Sequence, residues 1–171
     1  MEEKLKSIRW LILDVDGTMT DGGVYLNDHG METKKFNIKD GAGILLARQA
    51  GIEPVILTGR ESGCVRHRAK ELGIRYVFQN VRDKKRFLLE FFERQGIQKE
   101  EAAYLGDDLN DLASMKLVGT AVCPRDAAKT VRNHCQYVLE ARGGEGAVRE
   151  FVEMILKERN VLQSCMEELW G

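Results

Sequence analysis

Ile8-Arg9-Trp10-Leu11-Ile12-Leu13-Asp14-Val15-Asp16-Gly17-Thr18 decides the fold. A short apolar run stops at a pair of carboxylates and an Asp-Gly turn, as expected of a buried strand that delivers polar groups at its carboxyl end. The pattern then recurs. Glu53 to Leu57, Arg75 to Phe78, Ala102 to Leu105 and Gly119 to Val122 read as strands. Between and after them, Gly41 to Ala50, Glu61 to Leu72, Lys84 to Gln95, Leu109 to Met115, Asp126 to Arg132 and about Gly146 to Lys157 read as helices. Strands joined by helices of this length predict right-handed crossovers and a doubly wound α/β fold with a mainly parallel sheet. After strand one, Gly22 to Leu26 and Glu32 to Phe36 flank the turn-forming Asn27-Asp28-His29-Gly30, which predicts a β-hairpin insertion over about 22–36. No Gly/Ser linker interrupts 1–158, so a single domain is expected there. In the tail, 159–171, Leu162, Met166, Leu169 and Trp170 recur at helical spacing; an intersubunit contact and a frayed end both remain open.

The 171 residues suffice for one core, and 26 Lys plus Arg against 27 Asp plus Glu leave a net charge of -1. That balance excludes a global positive field and argues against nucleic-acid or anionic-lipid partners. No apolar run approaches the roughly 20 residues of a membrane span. Met1 to Lys6 carries mixed charge and leads into no signal-type apolar segment, so a cytoplasmic location is expected. Cys64, Cys123, Cys135 and Cys165 form no C-x-x-C pair, and free thiols are expected.

Doubly wound sheets bind ligands beyond the carboxyl ends of their strands, near the point where strand order reverses. The residues expected there are Asp14 and Asp16, Thr58-Gly59-Arg60, Gln79 to Lys84, and Gly106-Asp107-Asp108. Taken singly, an Asp-x-Asp is usually a solvated turn, Thr58-Gly59 an ordinary helix entry and Lys84 a solvated helix start. Their arrival at one sheet edge reverses that judgement. Crowded carboxylates with no His or Cys among them suit Mg²⁺, which prefers oxygen ligands and substrate phosphate. On a phosphate so neutralised, Asp14 can attack phosphorus in line as nucleophile and form an aspartyl-phosphate. Asp16 can protonate the leaving alcohol and later deprotonate the attacking water. The Thr58 hydroxyl and the Lys84 ammonium can hold the charge-bearing phosphoryl oxygens.

Asp14-Val15-Asp16-Gly17-Thr18, Thr58, Lys84 and Gly106-Asp107-Asp108-Leu109-Asn110-Asp111, in this order, resemble the four motifs of the haloacid dehalogenase-like (HAD) phosphohydrolases. The resemblance covers the whole chain and implies the HAD-like Rossmannoid fold. It also implies that Asp14 and Asp107 hold Mg²⁺ by side chain and Asp16 by its backbone carbonyl, with Asp108 and Asp111 in support and Asp111 anchoring Lys84 or the metal loop. Between Gly17 and Thr58 there is room only for the hairpin and one helix, so no separate cap domain is expected.

Phe36-Asn37-Ile38-Lys39-Asp40-Gly41, Thr58-Gly59-Arg60 and Gly143-Gly144-Glu145-Gly146-Ala147-Val148-Arg149-Glu150 look like the 3-deoxy-D-manno-octulosonate 8-phosphate (KDO 8-phosphate) phosphatases. That resemblance implies a homotetramer whose hairpins form a central barrel and whose neighbouring subunits act as the cap. It implies that Asn37, Ile38, Lys39, Asp40 and Gly41 line the sugar pocket, beside Asp16, Gly59 and Lys84, and that Arg60 and Arg68 bind the sugar acid. An arginine suits the carboxylate of a 2-keto sugar acid. The chain departs from the octulosonate pattern at Leu45, Asn80 and Lys85. Phosphatases of nine-carbon, sialic-acid-type 9-phosphates share Gly144-Glu145-Gly146 and Asp108-Leu109-Asn110-Asp111, but Arg60 favours the eight-carbon substrate.

A phosphoacceptor receiver domain of a signalling system would use a similar kit on a similar sheet. Its acceptor would follow strand three, where Arg75 to Phe78 is followed here by Gln79-Asn80 and no acid. A non-catalytic tetramerising module is a further reading, and intact Asp14, Asp16, Lys84 and Asp107 speak against it.

Overall fold

A computed structural model describes residues 2–171. Strand β1 (Trp10–Leu13) lies inside a six-stranded sheet. On one side stand β4 (Glu53–Leu57) and β5 (Tyr76–Phe78); on the other, β6 (Ala102–Leu105), β7 (Thr120–Cys123) and β8 (Tyr137–Val138). Every neighbouring pair is parallel. The chain builds outward from β1 through β4 to β5, then returns to place β6 against the free side of β1. The gap between the β1 and β6 carboxyl ends is therefore the switch point.

Alternation along β1 sends Leu11 and Leu13 to one face and Ile12 to the other, all fully buried. Each such aliphatic side chain stabilises the fold by roughly 1.5–3 kcal/mol. The Leu11 face is covered by α1 (Glu2–Ser7), α2 (Ile38–Gln49), α3 (Gly63–Glu71) and α7 (Ala147–Glu158). The Ile12 face is covered by α4 (Lys84–Gln95), α5 (Leu112–Met115) and α6 (Lys129–Arg132). Phe78, Phe87 and Phe91 pack there with ring centroids 4.6 to 6.4 Å apart.

The doubly wound parallel sheet is the one the sequence predicts, with differences at element ends. Helix α2 starts at Ile38 rather than Gly41, because the Asn37 side chain caps it by accepting from the Lys39 N–H at 2.8 Å. Gly43 lies inside this helix because α7 crosses it closely: a Cβ there would stand 2.8 Å from the Arg149 Cα. Helix α5 is shorter than expected because Asp108 to Asp111 form a turn, with Asp111 N–H donating to the Asp108 carbonyl at 3.0 Å. Strand β8 and helix α1 lay outside the sequence reading.

The hairpin pairs β2 (Tyr25–Leu26) with β3 (Glu32–Thr33) in antiparallel register. The Asn27 side chain shapes its tip by accepting from the His29 and Met31 N–H groups. Among the described residues it is the only insertion between β1 and α2, and no cap domain is present. The tail folds as α8 (Leu162–Trp170), which buries Cys165 and packs Leu162, Met166 and Leu169 against its own core. All four cysteines are free, and among the described residues no helix is long and apolar enough to cross a membrane.

Candidate active site

Asp14 extends β1 by one ladder bond, its N–H donating to the Leu105 carbonyl at 3.0 Å, so its carboxylate emerges beside β6. Gly17 then turns back with φ +89, where a Cβ would lie 2.6 Å from the Asp107 Cγ. Only glycine lets the two loops approach this closely. Asp107 follows β6, and its Oδ1 accepts from the Thr18 hydroxyl at 3.0 Å.

Lys84, the first residue of α4, reaches back under this pair. Its ammonium donates to Asp14 Oδ1 at 2.6 Å and to Asp111 Oδ1 at 2.8 Å, with the side chain 2% exposed. Asp111 accepts further from the Tyr104 hydroxyl at 2.7 Å and from the Asp107 and Asp108 N–H groups at 3.2 and 3.3 Å. Carboxylate oxygens of Asp14, Asp107 and Asp111 all lie within 4.8 Å of one another. Because both Asp111 oxygens are already occupied, Asp14 and Asp107 are the members best placed to bind something new.

One ammonium sits among three carboxylates, those of buried Asp14 and Asp111 and half-buried Asp107, and the protonation equilibria reflect that excess. Burial, and then the Asp111 charge, push Asp14 up to about 7 against the pull of Lys84. Burial, followed by the charges of Asp14 and Asp111, pushes Asp107 up to about 8. Lys84 is raised above its ordinary value because its two carboxylate partners outweigh its burial. Burial first and Asp111 next hold Tyr104 well above the usual phenol range, so it stays a neutral donor. A divalent cation is the group this cluster fits: its charge relieves the carboxylate excess, and the donors are all oxygens of the hard type Mg²⁺ prefers.

In front of the cluster opens a cavity of about 290 Å³ lined by Asp14, Asp16, Thr58, Gly59, Arg60, Asp107 and Asp108, among others. Thr58 is held at the end of β4 by its N–H to the Phe78 carbonyl and its carbonyl to the Val81 N–H. Asp16 stands at the mouth, its carboxylate paired with Lys34 of the hairpin. Arg60 lines the same cavity and is paired with Glu32. A larger cavity, about 460 Å³, lies among Lys4, Lys99 and Lys116 and brings together no cluster of carboxylates.

Asn37, Ile38, Lys39, Asp40, Gly41 and Arg68 gather elsewhere, outside this cavity within the single chain. Asn37 is spent on capping α2 and on donating to the Gly144 carbonyl at 3.1 Å. Asp40 accepts from Gly146 and Arg149 N–H groups at 3.3 and 2.9 Å, so it caps α7. Ile38 is 77% exposed, and Arg68 donates to Glu71 and to the Asn37 carbonyl. In one chain these residues are thus a helix-end cluster, not the wall of the Asp14 cavity.

Sequence reasoning missed Tyr104, Lys34 and Glu32. Tyr104 could have been found, since a tyrosine on a buried strand face needs a partner for its hydroxyl. Lys34 and Glu32 carried no such signal, because charged residues in a short hairpin usually face water.

The haloacid dehalogenase-like hydrolase family model matches residues 32–119. The KDO 8-phosphate phosphatase of Escherichia coli K12 is 40% identical over 162 residues, covering 95% of this chain and 86% of that protein. The Haemophilus influenzae enzyme of the same name is 37% identical over 157 residues, 92% of this chain and 87% of its own length. A crystal structure of the Moraxella catarrhalis enzyme, with magnesium, phosphate and KDO, superposes with a TM-score of 0.94 at 38% identity, covering 98% of this chain and 97% of that one. The chain belongs to the haloacid dehalogenase-like hydrolases, in the family of 3-deoxy-D-manno-octulosonate 8-phosphate phosphatases.

Proposed function

We propose that this chain is a Mg²⁺-dependent phosphomonoester hydrolase converting KDO 8-phosphate to KDO and phosphate. The observation that carries the reading is the excess of buried carboxylate around Asp14 at the β1–β6 switch point. The Moraxella catarrhalis structure, which holds magnesium, phosphate and KDO, supports the cation and the sugar acid.

Asp14, Asp107 and the Asp16 backbone carbonyl would hold Mg²⁺, which would supply positive charge against the phosphate oxygens. Asp14 supplies the attacking oxygen, its Oδ–P bond forming as the P–O bond to the sugar breaks. Lys84 keeps Asp14 aimed and ionised, and with Thr58 it stabilises charge on the phosphoryl oxygens. Asp16 gives its proton to the departing sugar oxygen, then takes one from the water that cleaves the aspartyl-phosphate. Asp111, with Asp108 beside it, supports the set by fixing Lys84 and the metal loop. Gly59 leaves room for substrate, and Arg60 exchanges Glu32 for the sugar carboxylate.

Val24, Tyr25, Leu26 and Met31 expose an apolar hairpin edge that association would cover, which supports a homotetramer. Asn37 to Gly41 and Arg68 would then reach substrate across a subunit boundary. Residues 1–158 form the catalytic domain in this reading, with 159–171 as an appended tail. Four free thiols suit a reducing, cytoplasmic setting. Phosphate release from KDO 8-phosphate that stops with EDTA and in Asp14→Asn is the expected result; full activity in Asp14→Asn removes the proposed nucleophile.

A further inference from the structure

Each aspartate of the Asp14-Val15-Asp16 pair has a buried lysine of its own. Asp14 has Lys84, whose other side is closed by Asp111. Asp16 has Lys34, whose other side is closed by Glu32 at 3.3 Å. Both lysine side chains are only 2% exposed, although one belongs to a core helix and the other follows strand β3 of a surface hairpin. A lysine is rarely so buried unless its charge is matched, and here two carboxylates match it.

The partners differ in exposure. The Asp16 side chain is 28% exposed at the cavity mouth, where Lys34 is its ion-pair partner. Lys34, by contrast, is held from behind by Glu32, whose own carboxylate is shared with Arg60. A buried, doubly paired cation therefore holds a partly exposed carboxylate at the cavity mouth through a charge-assisted bond.

We infer that Lys34 is a positioning residue for Asp16, tying the hairpin to proton transfer at the leaving oxygen. The inference rests on the reading of Asp16 as the group that protonates the departing alcohol. Lys34 touches neither phosphate nor metal in this role. It holds Oδ1 of the Asp16 carboxyl, which leaves Oδ2 as the oxygen that carries the proton towards the breaking P–O bond. Such placement is worth far more for a basic leaving oxygen, which must be protonated as it departs, than for an acidic one that leaves as an anion.

The test compares kcat/KM for phenyl phosphate and para-nitrophenyl phosphate in the wild type, Lys34→Met, Lys34→Arg and Asp16→Asn. This ratio reports the steps up to departure of the leaving group, and neither ester has a carboxylate for Arg60 to hold. Lys34→Met should lower kcat/KM about 10–100-fold for phenyl phosphate but less than about threefold for para-nitrophenyl phosphate. Lys34→Arg should recover most of the loss. An equal fall for both esters in Lys34→Met, or no fall, overturns the inference, because a purely structural lysine does not distinguish leaving groups. Should Lys34→Met not fold, the same comparison is read in Glu32→Gln, where a smaller loss confined to phenyl phosphate is expected and an equal loss overturns the idea. Asp16→Asn separates the two claims: if it shows no dependence on the leaving group, the reading of Asp16 itself fails.

Discussion

The Tyr104 hydroxyl donates to Asp111 Oδ1 across 2.7 Å, in a part of the interior where neither residue is exposed to solvent. Asp111 therefore has a neutral donor as well as the Lys84 ammonium, and its orientation does not depend on the ionic pair alone. Tyr104→Phe removes a buried bond to a charged acceptor and should lower stability by about 1–2 kcal/mol. Urea unfolding checks this, and an unchanged midpoint with an unchanged slope would mean that the bond contributes nothing.

Gly17→Ala should act on the metal site without replacing a ligand. The new methyl group would press on the Asp107 carboxylate, at a φ of +89 that already disfavours a side chain. Displacement of a ligating carboxylate should weaken Mg²⁺ about 10–100-fold, read by titrating the metal against activity. Wild-type affinity in this variant would show that Asp107 can move without loss.

The raised values of Asp14 and Asp107 fix the sign of a pH effect in metal-free protein. Each carboxyl ionises near pH 4 when unfolded but only at about 7 and about 8 when folded. The folded state thus holds the extra protons across that window, and stability is full below about pH 4 and falls as pH rises towards 8. Mg²⁺ binds the ionised forms, so the gain in melting temperature on adding Mg²⁺ should grow between pH 6 and 8. A gain that is flat or shrinks with pH contradicts the assignment of these two carboxylates to the metal.

Much of this was legible in the sequence because the chemistry sits at strand ends. The apolar run before Asp14, the Asp-Gly turn, and the alternation of strands and helices place Asp14, Thr58, Lys84 and Asp107 at one edge. Lys84 to Gln95 even matched its helix at both ends, since Asp83 caps its start and Gly96 turns left-handed past its end. What the sequence could not show were contacts between distant segments. Lys34 to Asp16 and Asp40 to α7 depend on how the hairpin and helices fold back, and no local pattern records that. The sugar-pocket expectation for Asn37 to Gly41 rests on resemblance; within one chain Asn37 caps α2 and Asp40 caps α7.

Asp40 offers a test of that point. Its carboxylate accepts from two N–H groups at the start of α7, where helix-dipole and capping effects add. Asp40→Ala should cost about 1–2 kcal/mol of stability in chemical denaturation. No loss would mean that the α2–α7 packing alone orients the Gly146 turn.

The most direct test of the central claim is phosphate release with saturating Mg²⁺ from KDO 8-phosphate, a nine-carbon 2-keto sugar acid 9-phosphate and a hexose phosphate, compared as kcat/KM. The account predicts a preference for KDO 8-phosphate of about tenfold or more over either competitor, which corresponds to at least about 1.4 kcal/mol of transition-state binding. Preference for the nine-carbon acid would keep the chemistry of Asp14 and overturn the reading of Arg60. Release from none of the three would contradict the assignment of this chain as a sugar-acid phosphatase.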